Sequence, residues 1–285
     1  MIVGLPRSVK DHMTNGIDFG PDGRLYVAQG SNNGYGAPTS GWGNRAEDPL
    51  SGAILVADVG AIGSGTVNVD PRTGYNATTG PVKRYATGVR NAYDLVWHPN
   101  GKLYAPVNES AGGDTPAGPG GNPPALRDLP AGRDFLASIQ QGGYYGHPNP
   151  SIGKYVLNGG NPSGGVDPWE VPQYPVGTQP HTDWKRPIHD FGTHRSPNGI
   201  AVYSNSVAFG GQLKNHLLVA EFSNGDDIID IALTSGGGVA SAKILASGFN
   251  NPLDLFASSG GQIYVVEYGN SETGEGGALT TLRPA

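Results

Sequence analysis

The sequence contains no cysteine, and only 15% of its 285 residues are charged. Without cysteine there is no disulfide framework, no thiolate metal site and no cysteine nucleophile. The net charge of −6 comes without a cluster of lysine and arginine, so the basic face of a nucleic-acid-binding protein is missing. No apolar run approaches the roughly 20 residues of a membrane span. We therefore expect neither nucleic acid nor membrane as a partner.

Several catalytic signatures are also missing. The sequence has no Gly-x-Ser-x-Gly elbow, which disfavours a serine hydrolase. It has no Gly-x-Gly-x-x-Gly motif either, which disfavours a Rossmann dinucleotide site. Residues 1–20 lack a basic segment followed by an apolar one, so the sequence as given shows no signal peptide.

Glycine and proline are abundant, with 47 and 24 residues. These are the two weakest helix formers, so the composition argues against a helical protein. Hydrophobic residues make up 36% of the chain and recur to its end, which favours many short strands joined by turns. We predict an all-β protein with less than about a fifth of its residues in helix, against roughly a third in an average domain.

An internal repeat organises the chain. Four segments align without gaps, and each has asparagine at its second position. They are residues 14–19, 90–95, 197–202 and 250–255, so the repeats start near residues 15, 91, 198 and 251. Each segment runs into a turn and a second apolar run, and two of these turns contain Asp-Gly or Asn-Gly, the strongest short hairpin signals. The pattern predicts a β-hairpin at the start of each repeat.

The first repeat contains two more strand candidates, at residues 53–58 and 82–85. Four antiparallel strands in each of several repeats are typical of β-propeller blades. We therefore predict one all-β propeller domain over residues 1–285, with four-stranded antiparallel blades and four visible repeats.

The repeats are unequally spaced, and the excess length lies in the second one. Residues 110–133 and 158–187 are rich in glycine and proline and are predicted to form long loops, which are often functional. Residues 1–5 read as a strand without a hairpin partner. We expect this strand to pair with the blade of residues 250–285 and so to close the ring between the termini.

Polar residues flank both strands of each predicted hairpin. Because the second strand returns to the end where the first began, residues before strand one and after strand two share one face of the blade. The residues before strand one include Asp11, His12, Arg90, Asn91, Asn250 and Asn251. Those that follow or end strand two are Gln29, Asn108, Glu109, Glu221 and Glu267. These residues are predicted to gather at one mouth of the propeller.

Such a ring of side chains suits two chemistries. Carboxylate and amide oxygens are ligands for a hard cation such as Ca²⁺, so Glu109, Glu221 and Glu267 are candidate metal ligands. A histidine beside them can act as a general base, because its pKa lies near neutrality. His12 is the candidate for that role.

The segment from Asp11-His12 through residues 17–27 resembles the soluble glucose/sorbosone dehydrogenases. Residues 88–91 with 97–104 are similar to a second signature of that family, and Gly-Gly-Tyr-Tyr-Gly-His-Pro at residues 142–148 resembles its Gly-Gly-Asn-Tyr-Gly-Trp-Pro turn. The resemblance covers roughly residues 3–270. It implies a six-bladed propeller that oxidises a small carbohydrate with pyrroloquinoline quinone and calcium, in an extracellular or periplasmic location.

The resemblance also implies roles for individual residues. His12 corresponds to the general base that removes the sugar hydroxyl proton, and Asp11 to the acidic residue beside it. Arg90 and Asn91 correspond to a pair that contacts the quinone. Gln29 and Asn251 join them as candidate cofactor-binding residues, because they are predicted to lie at the same mouth.

The sequence departs from the family pattern at several positions. Ser223 stands where a lysine contacts the cofactor, and Asn251 and Leu253 stand where the family has two arginines. Residues 110–112 contain no proline to supply the Gly-Pro carbonyls of the calcium site. The quinone carries three carboxylates, so the loss of three cations should weaken its binding severely. A first blade is also missing from the pattern, which fits a place in a larger secreted chain.

Three functions follow from these observations. The first is a quinone- and calcium-dependent dehydrogenase of sugars of the aldose or sorbosone type, favoured by Asp11-His12 and Arg90-Asn91. The second is a non-catalytic propeller module that binds calcium or a glycan, favoured by the missing cations. The third is a calcium-dependent hydrolase of the lactonase type, which requires Glu109, Glu221 and Glu267 to converge on one metal.

Overall fold

The computed structural model describes residues 1–270 and 272–284. Strands dominate it: helix is limited to one α-helix, α1 (Val59–Ile62), and to five 3-10 segments of three or four residues. The 3-10 segments are Ser40–Trp42, Pro71–Thr73, Pro119–Gly121, Pro150–Ile152 and Ala208–Gly211. The all-β prediction is therefore confirmed.

The chain divides into two compact units. The first consists of Met1–Ala92, Glu109–Gly132 and Ile139–Pro187, and the second of Tyr93–Asn108, Arg133–Ser138 and Ile188–Ala285. The interpretation of residues 1–285 as a single domain stays a prediction.

The first unit contains one four-stranded antiparallel sheet in the order β2-β3-β4-β6. Its strands are β2 (Thr14–Phe19), β3 (Leu25–Gln29), β4 (Ala53–Ala57) and β6 (Val82–Thr87). The hairpin β2-β3 turns at Asp22-Gly23, where Gly23 has φ of +74°, a left-handed conformation that glycine adopts without a side-chain penalty. Both predicted hairpin strands and both additional strand candidates are confirmed.

A short pair of parallel strands in the same unit shows that the predicted pairing of residues 1–5 with residues 250–285 is wrong. Strand β1 (Ile2–Val3) pairs in parallel with β5 (Val67–Asn68), so its partner does not come from residues 250–285. Packing gives the reason. Ile2 and Leu5 lie against a buried cluster that includes Leu50 and Leu55, and the parallel register keeps them there.

The second sheet has the order β10-β9-β8-β7, and its two outer pairs, β10 with β9 and β8 with β7, are antiparallel. Its strands are β7 (Val96–Trp97), β8 (Leu103–Val107), β9 (Asp134–Ile139) and β10 (His189–Gly192). The prediction of a strand within residues 90–95 is wrong, because the Leu95 amide donates its hydrogen bond to a side chain and not to a neighbouring strand. The Leu95 amide donates to Asp94 Oδ1 at 2.8 Å, and β7 begins only at Val96.

The two long loops are confirmed as loops. Residues 110–133 and 158–187, all of which the structure describes, contain a 3-10 segment and isolated bridges but no strand. Apolar side chains of these loops, Leu126, Leu129, Val171 and Tyr174, share a buried cluster with Tyr35, Val156 and Leu157. Side-chain packing thus orders these loops.

The second unit contains two more antiparallel sheets. One has four strands, β11 (Pro197–Val202), β12 (Leu217–Glu221), β13 (Asp227–Leu233) and β14 (Val239–Ser247). The other, within the described residues, has three strands, β15 (Pro252–Ala257), β16 (Ile263–Glu267) and β17 (Ala278–Leu282). Each of the four repeats thus contributes one sheet; three of these sheets have the four strands predicted, and the last has three within the described residues.

Candidate functional site

The ends of three hairpins are structurally equivalent. In each, the last residue of the second strand lies opposite the first residue of the first strand. The pairs are Gln29 with Thr14, Glu221 with Pro197 and Glu267 with Pro252. The residues placed by strand polarity therefore occupy matching positions in their own sheets.

His12 lies directly before β2 in the first unit and is 2% exposed. Its Nδ1 atom is 3.0 Å from both the Ser31 carbonyl oxygen and Ser31 Oγ. A carbonyl oxygen only accepts hydrogen bonds, and the Ser31 hydroxyl donates its own hydrogen to the Asn33 carbonyl oxygen at 2.8 Å. Nδ1 therefore carries the ring hydrogen, which leaves Nε2 with the lone pair. This tautomer is the one a base acting through Nε2 requires.

An aromatic side chain from the following loop covers this imidazole. Trp42 is half-buried, and its ring centre lies 4.7 Å from that of His12. Two cations approach the same indole: Lys10 Nζ lies 4.7 Å and the Arg90 guanidinium carbon 5.7 Å from the ring centre. Cation–π contacts of this kind stabilise a tryptophan where it is partly shielded from water.

Burial holds the pKa of His12 well below its ordinary value, and the positive charge of Arg90 lowers that pKa further. The imidazole is therefore unprotonated at neutral pH, as a base must be. The neighbouring Asp11 side chain is exposed. The catalytic roles of His12 and Asp11 stay predictions, and the two side chains differ in that His12 is buried and Asp11 is exposed.

Trp42→Ala should raise the pKa of His12 toward 6.5, because it removes the apolar cover that disfavours imidazolium. Any rate that depends on the free base should then begin to fall at a higher pH as the solution is acidified, since more His12 is protonated there. NMR titration of the histidine resonances measures the shift directly. An unchanged His12 pKa in a folded Trp42→Ala protein would show that the indole does not desolvate the ring.

Arg90 and Asn91 are both fixed by groups of the first unit. Arg90 Nε donates to the Gly34 carbonyl oxygen at 3.1 Å, and its Nη1 donates to the Glu109 carbonyl oxygen at 2.9 Å. Asn91 Oδ1 accepts from Asn15 Nδ2 at 3.0 Å. Arg90 thereby ties the backbone beside Glu109 to the loop that follows β3.

Gly30 separates His12 from Asn91. A Cβ atom built at position 30 would lie 2.8 Å from both His12 Cβ and Asn91 Oδ1. Contacts this short do not occur between well-packed carbon atoms, so only glycine fits here. Three residues selected from the sequence, Gln29, His12 and Asn91, are thus brought to one place around this glycine.

Gly30→Ala should lower the free energy of unfolding by about 2 kcal/mol, the usual cost of overpacking a tight site. It should also displace His12, because the added methyl group meets the backbone-proximal Cβ of that residue. Thermal unfolding and the His12 NMR signals would report the two effects. Gly60→Ala is the matched control, since a Cβ there comes no closer than 3.4 Å to its neighbours. Equal stability of the two variants would contradict the proposed close packing.

Glu221, a candidate metal ligand, lies in the second unit and has an arginine as its partner. It is 1% exposed, and Arg195 Nε donates to its Oε2 atom at 2.9 Å. Asp227 lies opposite Glu221 on the neighbouring strand and receives a longer bond, 3.3 Å, from Arg195 Nη2. Burial raises the pKa of Glu221 to about 7, and the proximity of Asp227 adds to the shift against the opposing effect of Arg195.

The other two candidate glutamates have different surroundings. The Glu109 side chain is buried in the first unit, and the Ser110 amide donates to its Oε2 atom at 3.4 Å. Glu267, in the second unit, accepts from the Asn250 amide at 2.6 Å and from the Thr280 hydroxyl. Asn251 has φ of +53°, and its Nδ2 donates to the Gly269 carbonyl oxygen at 2.7 Å.

Among residues 1–270 and 272–284, no group of three or more His, Asp or Glu side chains is placed to hold a metal ion. The calcium site formed by Glu109, Glu221 and Glu267 therefore stays a prediction. The structure brings together His12, Gln29, Arg90 and Asn91 in the first unit, with Glu109 joined to them through Arg90.

Sequence reasoning missed two residues that shape the His12 site. Ser31 follows β3 by two positions, and Trp42 lies in a loop of mixed polar composition. The only available signal was that both fall in the connection directly after a candidate site residue, Gln29. Nothing in the sequence periodicity links a loop tryptophan to a histidine 30 residues earlier.

The structure resembles solved sugar dehydrogenases. One is the pyrroloquinoline quinone-bound form of an aldose sugar dehydrogenase from Streptomyces coelicolor, with 20% identity, a TM-score of 0.55, and coverage of 98% of this chain and 64% of that one. Another is the holo form of a pyranose dehydrogenase quinone domain from Coprinopsis cinerea, with 12% identity, a TM-score of 0.59, and coverage of 93% and 69%. A third is a calcium structure of a carbohydrate-active enzyme of family AA12 from Trichoderma reesei, with 16% identity, a TM-score of 0.58, and coverage of 96% and 69%.

These likenesses and the consecutive antiparallel sheets define the β-propeller fold of the sugar dehydrogenases. A model of the glucose/sorbosone dehydrogenase family matches residues 4–275, so the chain belongs to that family. It spans 64% of the length of the Streptomyces enzyme. No curated protein sequence matches the chain. Within the described part of the chain, no helix combines the length and apolar character needed to cross a bilayer.

Proposed function

We propose that this chain carries the site of a sugar dehydrogenase-like oxidoreductase, in which His12 takes the proton of a carbohydrate hydroxyl. The observation that carries the proposal is the state of His12. Two acceptors on Ser31 hold the hydrogen on Nδ1, and burial keeps the pKa low, so Nε2 is a free base at neutral pH. The predicted extracellular or periplasmic location and the small carbohydrate partner belong to this proposal.

The protein groups perform the following chemistry. Nε2 accepts the hydroxyl proton, while Nδ1 keeps its hydrogen bonds to Ser31 and holds the ring in place. Loss of that proton raises the electron density on the carbinol oxygen, and the carbon then gives up hydride to a two-electron acceptor. The resulting imidazolium, next to the Arg90 charge, readily returns its proton to water.

Substrate access requires a movement of Trp42. His12 is only 2% exposed, and the indole lies over its ring. The Trp42 side chain sits on a short 3-10 segment and is flanked by two exposed glycines, Gly41 and Gly43. Once Trp42 has moved, a sugar ring can occupy the position over the His12 imidazole that the indole now fills.

The residues of the second unit do not fit the trianionic quinone that the family resemblance implies. Ser223, Asn251 and Leu253 carry no charge. The Ser223 hydroxyl oxygen accepts from Ser196 at 3.0 Å, and the Asn251 amide is bonded to Gly269. The chemistry described above therefore involves only the chain's own residues and a two-electron acceptor.

The same observation favours a second candidate, a non-catalytic propeller module that binds a carbohydrate. Uncharged donors that are already bonded within the protein would not hold a tricarboxylate, yet a sugar could still dock beside Trp42 and His12. The two candidates differ in one property, which is hydride transfer to an acceptor.

Titration with pyrroloquinoline quinone and Ca²⁺, followed by absorbance and by dye reduction with aldoses, tests the proposal. We expect dye reduction to saturate only at quinone concentrations far above that of the protein, because three cations are missing. Sugar binding by calorimetry without dye reduction, at any quinone concentration and with other two-electron acceptors, would support the binding module instead. If the protein neither bound a sugar nor reduced the dye, both candidates would be excluded.

A further inference from the structure

We propose that Glu47 is a positioning residue that anchors residues 31–34 and, through this loop, sets the orientation of His12 and Arg90. The inference rests on the proposed function of His12 as a base. Neither the repeat pattern nor the family resemblance singled out Glu47 or residues 31–34.

The Glu47 side chain is completely buried, with 0% exposure. Its two oxygens accept hydrogen bonds from four groups: the Asn32 amide, the Asn33 amide, the Ser51 hydroxyl and His147 Nε2. The amide distances to Glu47 are 3.0–3.2 Å. A buried carboxylate is costly unless hydrogen bonds compensate for lost hydration, so these donors and the carboxylate hold one another in place.

The loop of residues 31–34 also binds the two site residues His12 and Arg90. Ser31 provides both acceptors for His12 Nδ1, and the Gly34 carbonyl oxygen accepts from Arg90 Nε. The Ser31 hydroxyl is itself oriented by the carbonyl oxygen of Asn33. The two amides that Glu47 binds, at positions 32 and 33, therefore lie between the two residues that fix His12 and Arg90. Loss of the anchor should loosen both contacts together.

His147 completes the anchor. Its Nε2 lies 3.0 Å from Glu47 Oε1, and its Nδ1 is buried with no hydrogen-bond partner among the described residues. A hydrogen on Nδ1 would leave a buried N–H group without a partner, so the ring hydrogen is placed on Nε2, which faces Glu47 Oε1. In that form His147 is a fixed donor to Glu47. It follows Gly146, at the end of the turn formed by residues 142–148.

Glu47→Gln tests the proposal, because it keeps the size of the side chain but replaces one acceptor oxygen with an NH₂ group that faces donors. We expect the ¹⁵N spectrum of histidine-labelled protein to change at His12, from a single Nδ1-protonated tautomer to a mixture. Turnover should fall by roughly tenfold to a hundredfold, the size expected for a misplaced catalytic group, with a much smaller change in KM. Glu47→Asp keeps the charge but shortens the side chain by one methylene group, so we expect the same change in the His12 spectrum to a smaller extent.

Asp230→Asn is the matched control. Asp230 is also a buried carboxylate bound to a histidine, with 2.6 Å between its Oδ1 and His216 Nδ1, but it belongs to the second unit, whereas residues 31–34 belong to the first. It should lower the melting temperature without altering the His12 spectrum. A wild-type His12 spectrum in folded Glu47→Gln would overturn the proposal, and if that variant does not fold, a wild-type spectrum in Glu47→Asp would do so. The spectra need no substrate, so absence of activity in the parent protein would count against the proposed function alone.

Discussion

Replacing His12 with glutamine should lower the turnover of a carbohydrate substrate roughly 10²–10⁴-fold, the usual contribution of a general base. A carboxamide cannot take up a proton at neutral pH, but its NH₂ group can keep the hydrogen bond to Ser31. The local structure should therefore persist while the chemistry is lost. Steady-state dye reduction gives kcat and KM, and we expect the loss mainly in kcat.

His189→Gln is the matched control for this prediction. His189 is half-buried in the second unit, where its ring packs edge-on against Phe191 with 4.8 Å between the ring centres. Turnover in this variant should stay within about twofold of the parent, because a general base contributes only where it meets the substrate proton. Full activity of His12→Gln would show that another group is the base.

Arg195→Met should lower the free energy of unfolding by about 3 kcal/mol, because it removes the cation from a pair of buried carboxylates. Glu221 and Asp227 have side-chain exposures of 2% and 3%, whereas Arg195 is 27% exposed, which places the cost at the lower end for a broken buried pair. Urea denaturation, with the midpoint and slope fitted separately, measures the change.

The cost of Arg195→Met should also depend on pH. The pKa of Glu221 is raised in the folded state to about 7, so the folded protein binds a proton that the unfolded chain releases above about pH 4.3. This contribution to stability is complete below that pH and is lost as the pH rises through 7. Without the arginine, the carboxyl should hold its proton more tightly. The destabilisation should therefore be larger at pH 8 than at pH 5.

Arg133→Met provides the matched control within the same unit. Arg133 is bonded to Asp190 at 2.7 Å, but both partners are solvent-accessible, with side-chain exposures of 51% and 32%. Exposed pairs of this kind contribute about 1 kcal/mol or less. If the two arginine variants lost equal stability at every pH, the carboxylate pair would not be the source of the effect.

Local chemistry made most of the fold predictable. The turn at Asp22-Gly23 specifies a tight hairpin, and the asparagine-led repeat located three of the four hairpins, while in the second repeat the first strand begins only at Val96, after the predicted segment. The pairing of Ile2 with Val67 could not be predicted in the same way. It depends on which apolar surface is free to receive Ile2, and that surface is assembled from residues spread along the chain from Val27 to Val82. Sequence alternation carries no information about such a partner.

The candidate site was predictable to the extent that it follows from strand polarity. Gln29 and Glu221 fall at equivalent ends of their hairpins because antiparallel pairing dictates it. Their partners were not predictable. Glu221 faces Arg195 and Asp227 because β13 begins where β12 ends, whereas the prediction assigned its carboxylate to a metal ion. The cover that Trp42 provides for His12 depends on a loop conformation that no periodic pattern describes.

The irregular start of three hairpins has a consequence for hydrogen exchange. In β2, β11 and β15, one extra residue lies between the first and second register pairs, which is a β-bulge. A residue added at a bulge leaves its amide outside the ladder, while the register beyond it is restored. We therefore expect fast-exchanging amides at Asn15, Asn198 and Leu253, next to protected amides in the adjoining strands. Insertion or deletion of one residue at any of these three bulges would leave the apolar face of the strand directed toward the core.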